Sequence, residues 1–165
     1  LLAKYDFLEF SVSATSRAPR GEEMDGKDYY FLSKEEFEKK IKAGEFVEYE
    51  EVYSGFYYGT LKSEVEKIWE KGNVILFDID VMGGINLKKL YGESALSVFI
   101  RPPSTNELRN RLVKRGTDSP DAIERRVAKA EHELTYEGEF DVVLVNDILE
   151  NCLAQAEKII KNNLQ

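Results

Sequence analysis

The sequence of 165 residues predicts an α/β protein with a mainly parallel sheet. Three predominantly apolar segments, at residues 74–77, 96–100 and 142–145, have the length and β-branched content of strands buried on both faces. Segments long enough for a helix separate them, and this alternation is typical of parallel strands joined by crossover helices. A short strand is also expected at residues 10–13, just before a loop that contains two arginines.

Helix ends are marked by capping residues and by glycine. Ser33 and Ser104 are each followed three residues later by a glutamate, which predicts capping boxes for helices over about residues 34–43 and 105–115. Gly44 and Gly116 are expected to end these helices. Ser119 followed by proline predicts a third helix to about residue 134. An apolar stripe indicates a last helix over about residues 149–161.

The stretch between residues 28 and 53 departs from this pattern. Its segment 46–52 is strongly acidic and only loosely patterned as a strand, and a helix is expected after it over residues 62–70. We interpret the region from about residue 14 to residue 73 as a small mixed subdomain. It is inserted into an α/β core formed by about residues 1–13 and 74–165, and the chain is one domain.

The amino-acid composition limits the kinds of partner that the chain is expected to bind. With 42% hydrophobic residues and a formal net charge of −8, the chain is globular and acidic, and proteins that bind a nucleic-acid backbone usually carry a basic face. No apolar stretch approaches the ~18 residues of a membrane span, and no secretory signal is visible. We therefore expect neither a nucleic-acid nor a membrane partner. The single Cys152 excludes an intrachain disulfide, which predicts a reducing, cytoplasmic location.

Two arginines, Arg17 and Arg20, occur three residues apart in the loop after the first strand. The guanidinium group offers a planar fork of donors that matches a phosphate group, and the hydroxyl groups of Tyr29 and Tyr58 could complete such a site. Taken alone, an arginine pair is more often solvated and a tyrosine more often packs in the core. Asp78 follows a buried strand at its carboxyl end, where open α/β sheets bind ligands.

Four ordered motifs carry a family resemblance: SATSRAPR at residues 13–20, DGKDY at 25–29, YYGT at 57–60 and DID at 78–80. From about residue 11 to the C-terminus the chain resembles the guanylate kinases. The resemblance implies a three-layer, P-loop-kinase-like parallel sheet core with an inserted GMP-binding subdomain, about residues 14–73, and a short lid, about residues 111–126. It implies transfer of a phosphoryl group from ATP to GMP with Mg²⁺, within purine nucleotide metabolism.

The resemblance also implies site residues. For GMP they are Ser13, Arg17, Arg20, Glu23, Tyr29, Glu48, Tyr58, Thr60 and Asp78. Glu48 and Asp78 would accept the adjacent N1–H and N2–H₂ donors of guanine, which adenine lacks. On residue type alone Glu48 could be one more solvated glutamate, and Thr60 could be only the cap of the helix after it.

The resemblance further assigns residues to phosphoryl transfer. Arg111, Arg115 and Arg126 correspond to lid arginines, which stabilise the charge of the transferred group. Asn146 would lie near the adenine of ATP, although Asn-Asp is also ordinary turn chemistry. Asp80 would make a water-mediated contact to Mg²⁺, on the same face as Asp78 if the strand continues.

One family motif is missing. No G-x-x-x-x-G-K-[ST] phosphate loop occurs in the sequence, and we expect the chain to begin just after that loop, as a truncation. Two alternatives stay open: a non-catalytic guanylate-kinase-like module that binds phosphopeptides, and a kinase for another nucleoside monophosphate. GMP and ATP are the expected small-molecule partners, and the sequence leaves a homo-oligomer open.

Overall fold

The computed structural model describes residues 1–53 and 55–164. They form two compact units, Leu1–Leu90 and Tyr91–Gln165. The secondary structure of the first unit comprises β1 (Leu8–Phe10), β2 (Ala14–Thr15), β3 (Tyr30–Phe31), α1 (Lys34–Lys42), β4 (Phe46–Tyr53), β5 (Phe56–Leu61), α2 (Lys62–Trp69), β6 (Val74–Leu76) and α3 (Val81–Tyr91). The second unit contains β7 (Val98–Arg101), α4 (Thr105–Arg115), α5 (Pro120–Glu133), β8 (Val142–Val145) and α6 (Leu149–Asn163), with single 3₁₀ segments at Gly92–Ser94 and Leu134–Glu139.

The first unit contains two sheets. Strands β1 and β6 pair in parallel, with Leu8 opposite Val74. The second sheet has the order β3-β2-β5-β4 and is mixed, because β2 is parallel to β3 and antiparallel to β5. Its apolar core includes Phe37 of α1, which is fully buried and stacks on Phe46 with ring centroids 4.3 Å apart. Packing of α1 therefore holds this small sheet together.

The second unit is built on parallel strands β7 and β8, with Val98 opposite Val142. Helices α4 and α5 pack through a cluster of Leu112, Ile123 and Val127. In α6, Cys152 is buried. Among the helices of the described residues, none is long and apolar enough to cross a membrane.

The predicted helix caps are confirmed, but the second capping box is incomplete, because the Glu107 carboxylate accepts from Arg111 instead. Ser33 and Glu36 form a complete capping box at α1, and Gly44 after it has φ 67°. Ser104 caps α4, whose C-cap Gly116 has φ 71°, a left-handed conformation that favours glycine. Ser119 caps α5, with proline in its first turn.

Three strand predictions differ from the structure, and the strand expected at residues 96–100 lies at Val98–Arg101. The strand expected at residues 10–13 is displaced: β1 ends at Phe10, and residues 11–13 are irregular before β2 begins at Ala14. The strand expected at residues 74–77 ends at Leu76, so Asp78 and Asp80 follow in an extended loop and do not share a strand face. The division into an inserted subdomain and a core stays a prediction.

Candidate functional site

A cavity of about 280 Å³ opens within Leu1–Leu90 between the mixed sheet and the start of α3. Its lining comprises Ser13, Tyr29, Glu48, Glu50, Val52, Tyr58, Gly59, Asp78, Ile79 and Asp80. Six of these residues were predicted from the sequence, and they come from five separate segments of the chain. The fold thus brings distant motifs to one cavity whose volume is near the lower end for small-molecule sites.

Arg17 is the most constrained side chain near this cavity. It is only 7% exposed, and its Nε donates to the hydroxyl oxygen of Tyr58 at 3.1 Å. Its two terminal nitrogens donate to the carboxylate of Glu23 at 2.6 and 2.8 Å, a bidentate pair. The guanidinium carbon lies 4.9 Å from the ring centre of Tyr29 and 5.7 Å from that of Phe31. These contacts fix a permanent positive charge in one orientation.

Glu23 connects the two predicted phosphate-binding arginines. Besides Arg17, its carboxylate accepts the backbone N–H of Arg20 at 2.7 Å. These hydrogen bonds, first of all those from Arg17, lower the pKa of Glu23 to about 2, so it is ionised at neutral pH. Arg20 itself is exposed. Because a carboxylate repels a phosphate, Glu23 is suited to orienting Arg17 rather than to touching an anion.

Glu48 projects from β4 and is 9% exposed. Its Oε1 accepts a hydrogen bond from the hydroxyl group of Thr60 at 2.8 Å. Burial raises the pKa of Glu48 to about 7, with the nearby charges of Asp80 and Glu50 adding to the effect and the bond from Thr60 opposing it. A buried carboxylate held in place but short of donors is a strong acceptor for a ligand with paired N–H groups.

Thr60 is fully buried in β5 and does not cap α2. The N-cap position of α2 is Leu61, which makes no side-chain cap bond. The alternative that Thr60 serves only as a helix cap is therefore wrong, and its hydroxyl group is committed to Glu48.

Asp80 directly precedes α3. Its Oδ1 accepts the backbone N–H of Gly83 at 2.8 Å, as an N-cap residue does. Glycine at position 83 leaves room for the carboxylates, because a Cβ atom there would lie 2.9 Å from Oε2 of Glu48 and 3.3 Å from Oδ1 of Asp80. One helical turn later, Asn86 donates to Glu50 at 3.0 Å. The first two turns of α3 thus lie against Glu48 and Glu50, two of the three carboxylates of β4.

The predicted lid arginines lie in the second unit. Arg111 donates to the backbone carbonyls of Asn146 and Asp147 at 2.7 and 3.1 Å, and to Glu107 at 2.9 Å. Asn146, which follows β8, thus contacts Arg111 through its backbone carbonyl oxygen.

The other two lid arginines converge on one acid. Arg115 bonds Asp118 at 2.6 Å, and Arg126 lies 3.4 Å from the same carboxylate, which is 13% exposed. Asp118 therefore holds Arg115 and Arg126 near one carboxylate, a contact that was not predicted from the sequence.

The residues described contain no group of three or more His, Cys, Asp or Glu side chains able to hold a metal ion. Mg²⁺ in phosphoryl transfer is usually bound through one or two carboxylates together with the phosphates of the nucleotide. A single carboxylate such as Asp80 therefore fits a Mg²⁺ ion that arrives with ATP, and does not fit an ion that the protein binds on its own.

Several functional candidates were not predicted from the sequence. They are Glu50, Gly59, Gly83, Asn86 and Asp118. Gly59 carried a signal, since it lies inside the YYGT motif, and a Cβ atom there would meet the carbonyl oxygen of Glu48 at 2.7 Å. The sequence gives no comparable signal for the other four residues, because their roles depend on contacts between separate elements of the structure.

Comparisons with known proteins identify the family. The family model for guanylate kinase matches residues 1–163. A guanylate kinase of Bacteroides fragilis is 56% identical over 164 residues, which are 99% of this chain and 80% of that protein. A guanylate kinase of Porphyromonas gingivalis is 59% identical over 153 residues, 93% of this chain and 81% of that protein.

A solved structure supports the same assignment. The crystal structure of a guanylate kinase from Anaplasma phagocytophilum matches 97% of this chain and 78% of that chain, with a TM-score of 0.78 and 33% identity. Nothing in these comparisons favours the non-catalytic alternative. With the family model spanning nearly all of its length, the chain belongs to the guanylate kinase family.

Proposed function

We propose that this chain phosphorylates GMP, using ATP as the donor, and that the cavity in Leu1–Leu90 binds GMP. The observation that carries the proposal is the placement of a buried acceptor, Glu48, and a phosphate-type cluster around Arg17 beside one cavity. Membership of the guanylate kinase family supports it.

In this proposal guanine is recognised by carboxylates. Glu48, held by Thr60, accepts the N1–H and N2–H₂ groups, and Asp78 and Ser13 line the same cavity to complete the base site. Adenine presents no such pair of donors, so it would leave a buried acceptor unpaired. Leaving a buried charged group unpaired costs about 1–3 kcal/mol or more, which gives selectivity for GMP over AMP.

The phosphate of GMP would be bound by Arg17, Arg20, Tyr29 and Tyr58, with Glu23 orienting Arg17. The reaction needs no protein nucleophile: a phosphate oxygen of GMP attacks the γ-phosphorus of ATP, and the bond to the β,γ-bridging oxygen breaks to release ADP. Arg111, Arg115 and Arg126 are proposed to stabilise the transferred charge. Mg²⁺ bound to ATP, near Asp80, would neutralise phosphate oxygens.

We also propose that GMP and ATP are the small-molecule partners of this activity, with no nucleic-acid or membrane partner, and that it takes place in the cytoplasm. The acidic balance supports the absence of a nucleic-acid partner. The single Cys152, buried in α6, fits a reducing compartment.

The test combines binding with turnover. Calorimetry of the wild-type chain should show GMP binding at least about 100-fold tighter than AMP binding, and Glu48→Gln should lose about 100-fold in GMP affinity. Glu35→Gln changes an exposed glutamate of α1 and serves as the control. A coupled assay of ADP formation with GMP or AMP then tests the reaction. Equal affinity for GMP and AMP, or a Glu48→Gln variant that binds GMP normally, would refute the proposal.

A further inference from the structure

Helix α2 contains a buried carboxylate that the proposed reaction does not use. Glu64 is 4% exposed. Its Oε2 accepts a hydrogen bond from the hydroxyl group of Tyr30 at 2.9 Å, and its Oε1 accepts a longer one from the backbone N–H of Val12 at 3.4 Å. Lys67, one turn later and mostly exposed, lies 3.3 Å away. Burying a carboxylate costs free energy unless it is hydrogen-bonded, so these contacts are what allows Glu64 to be buried.

The residue that Glu64 binds belongs to a short edge strand. Strand β3 has only two residues and lies at the edge of the mixed sheet. Its backbone bonds to the neighbouring segment include those from Tyr30 N–H to the carbonyl of Ser13 and from Leu32 N–H to the carbonyl of Thr15, both 2.9 Å, and the N–H of Phe31 donates to the carboxylate of Asp25 at 2.8 Å. In so short an edge strand, side-chain contacts contribute to where β3 lies.

The side chains around β3 separate by face. Successive residues of an extended chain point to opposite sides. The rings of Tyr29 and Phe31 accordingly contact the guanidinium of Arg17, whereas Tyr30 between them reaches Glu64. Burial, reinforced by the bond to Glu64, raises the pKa of Tyr30 to about 12, so its hydroxyl group is a constant donor at neutral pH.

We propose that Glu64 is a positioning residue: through the Tyr30 hydroxyl group it fixes β3, and so places Tyr29 and Phe31 against Arg17 and sets the affinity for the phosphate of a nucleoside monophosphate. Neither Glu64 nor Tyr30 lines the cavity. The inference rests on the proposed GMP site. It adds a determinant of GMP affinity on the face of β3 that points away from Arg17. Because its effect passes through the phosphate cluster, the nucleoside without a phosphate should not sense it.

The experiment compares the dissociation constants of GMP and guanosine by titration. Tyr30→Phe, which removes one hydroxyl group, should raise the Kd of GMP about five- to tenfold while the Kd of guanosine stays within about twofold. Glu64→Gln keeps a carbonyl acceptor for Tyr30 and should remain within about twofold of wild type for GMP. Glu66→Gln, exposed on the same helix, and Tyr49→Phe, an exposed tyrosine, are the matched controls.

Tyr30→Phe leaves Glu64 buried without its partner, so a second variant guards against misfolding. Tyr30→Phe combined with Glu64→Met removes both groups and should show the same selective loss for GMP. An unchanged Kd for GMP in both variants, or equal losses for GMP and guanosine, would overturn the inference while leaving the GMP site intact. If the wild type itself bound no GMP, the proposed function would fail, and the inference with it.

Discussion

At the scale of single residues, the charge state of Glu48 is the most consequential feature. Burial raises its pKa from 4.5 to about 7, which corresponds to roughly 3 kcal/mol against ionisation. Since the pKa in the folded chain exceeds the unfolded value, the folded state is relatively more stable below pH 4.5 and loses that advantage as the pH rises through 7. A ligand that donates two N–H groups to the ionised carboxylate would recover this energy.

The first prediction concerns pH and base recognition. A protonated Glu48 cannot accept both donors of guanine, so affinity should fall as the pH drops below about 7. The phosphate of GMP titrates near pH 6 as well, so guanosine is the ligand to measure. Its Kd should rise at least about tenfold between about pH 8 and about pH 5.5.

A matched variant isolates the carboxyl group in this experiment. Glu48→Gln cannot titrate, so its weaker guanosine binding should be independent of pH over the same range. If wild-type affinity for guanosine were flat across that range, titration of Glu48 would not control base binding.

The sequence distinguishes such residues poorly. Glu48, Glu50 and Glu64 are three of 31 acidic residues, and nothing in the residue type separates a solvated carboxylate from a buried one. Glu48 was identified through its place in a family pattern, while Glu64 was missed because its burial depends on Tyr30 and Val12, which are distant in sequence. Sequence motifs therefore predict the residues that contact a ligand better than they predict the residues that hold those side chains in place.

At the scale of elements, local signals succeeded where a helix end is chemically marked. The caps at Ser33, Ser104 and Ser119 are found where they were predicted. By contrast, β2 and β3 have two residues each, too few for a periodic pattern, and their pairing is long-range. Asp80 would share a face with Asp78 only if the strand continued, yet its carboxylate starts α3, since an aspartate before a helix satisfies a free backbone N–H.

The start of α3 gives a prediction at this scale. Gly83→Ala would place a Cβ atom 2.9 Å from Oε2 of Glu48, the far end of a flexible side chain. The carboxylate should move while the backbone stays, so we expect GMP affinity to fall about tenfold and the free energy of unfolding to change by less than about 1 kcal/mol. Calorimetry and urea unfolding measure the two quantities.

The control for this variant is another glycine-to-alanine change. Gly138→Ala introduces a Cβ atom with no heavy atom within 4 Å, so it should leave GMP affinity unchanged. A Gly83→Ala protein that bound GMP as tightly as wild type would show that Glu48 tolerates displacement, and the packing of α3 against Glu48 would then have no role in base recognition.

At the scale of the whole molecule, a net charge of −8 must accommodate an anionic ligand. The long-range field opposes GMP, but at physiological ionic strength it is screened beyond about 8 Å. The proposed phosphate cluster of Arg17, Arg20 and the tyrosines would act within that distance. An acidic composition is thus unfavourable for binding a polyanion and still permits a single phosphate, which is why the overall charge predicts so little about this site.

Linkage between binding and folding gives the last prediction. A ligand that binds only the folded state stabilises it by about 2.7 kcal/mol at a concentration of 100 times its Kd. For a chain of 165 residues this raises Tm by about 5–11 °C. Thermal unfolding with GMP should show that shift, whereas AMP at the same concentration, or GMP with Glu48→Gln, should produce little. Equal shifts with GMP and AMP would mean that the phosphate cluster binds either nucleotide and that Glu48 does not select the base.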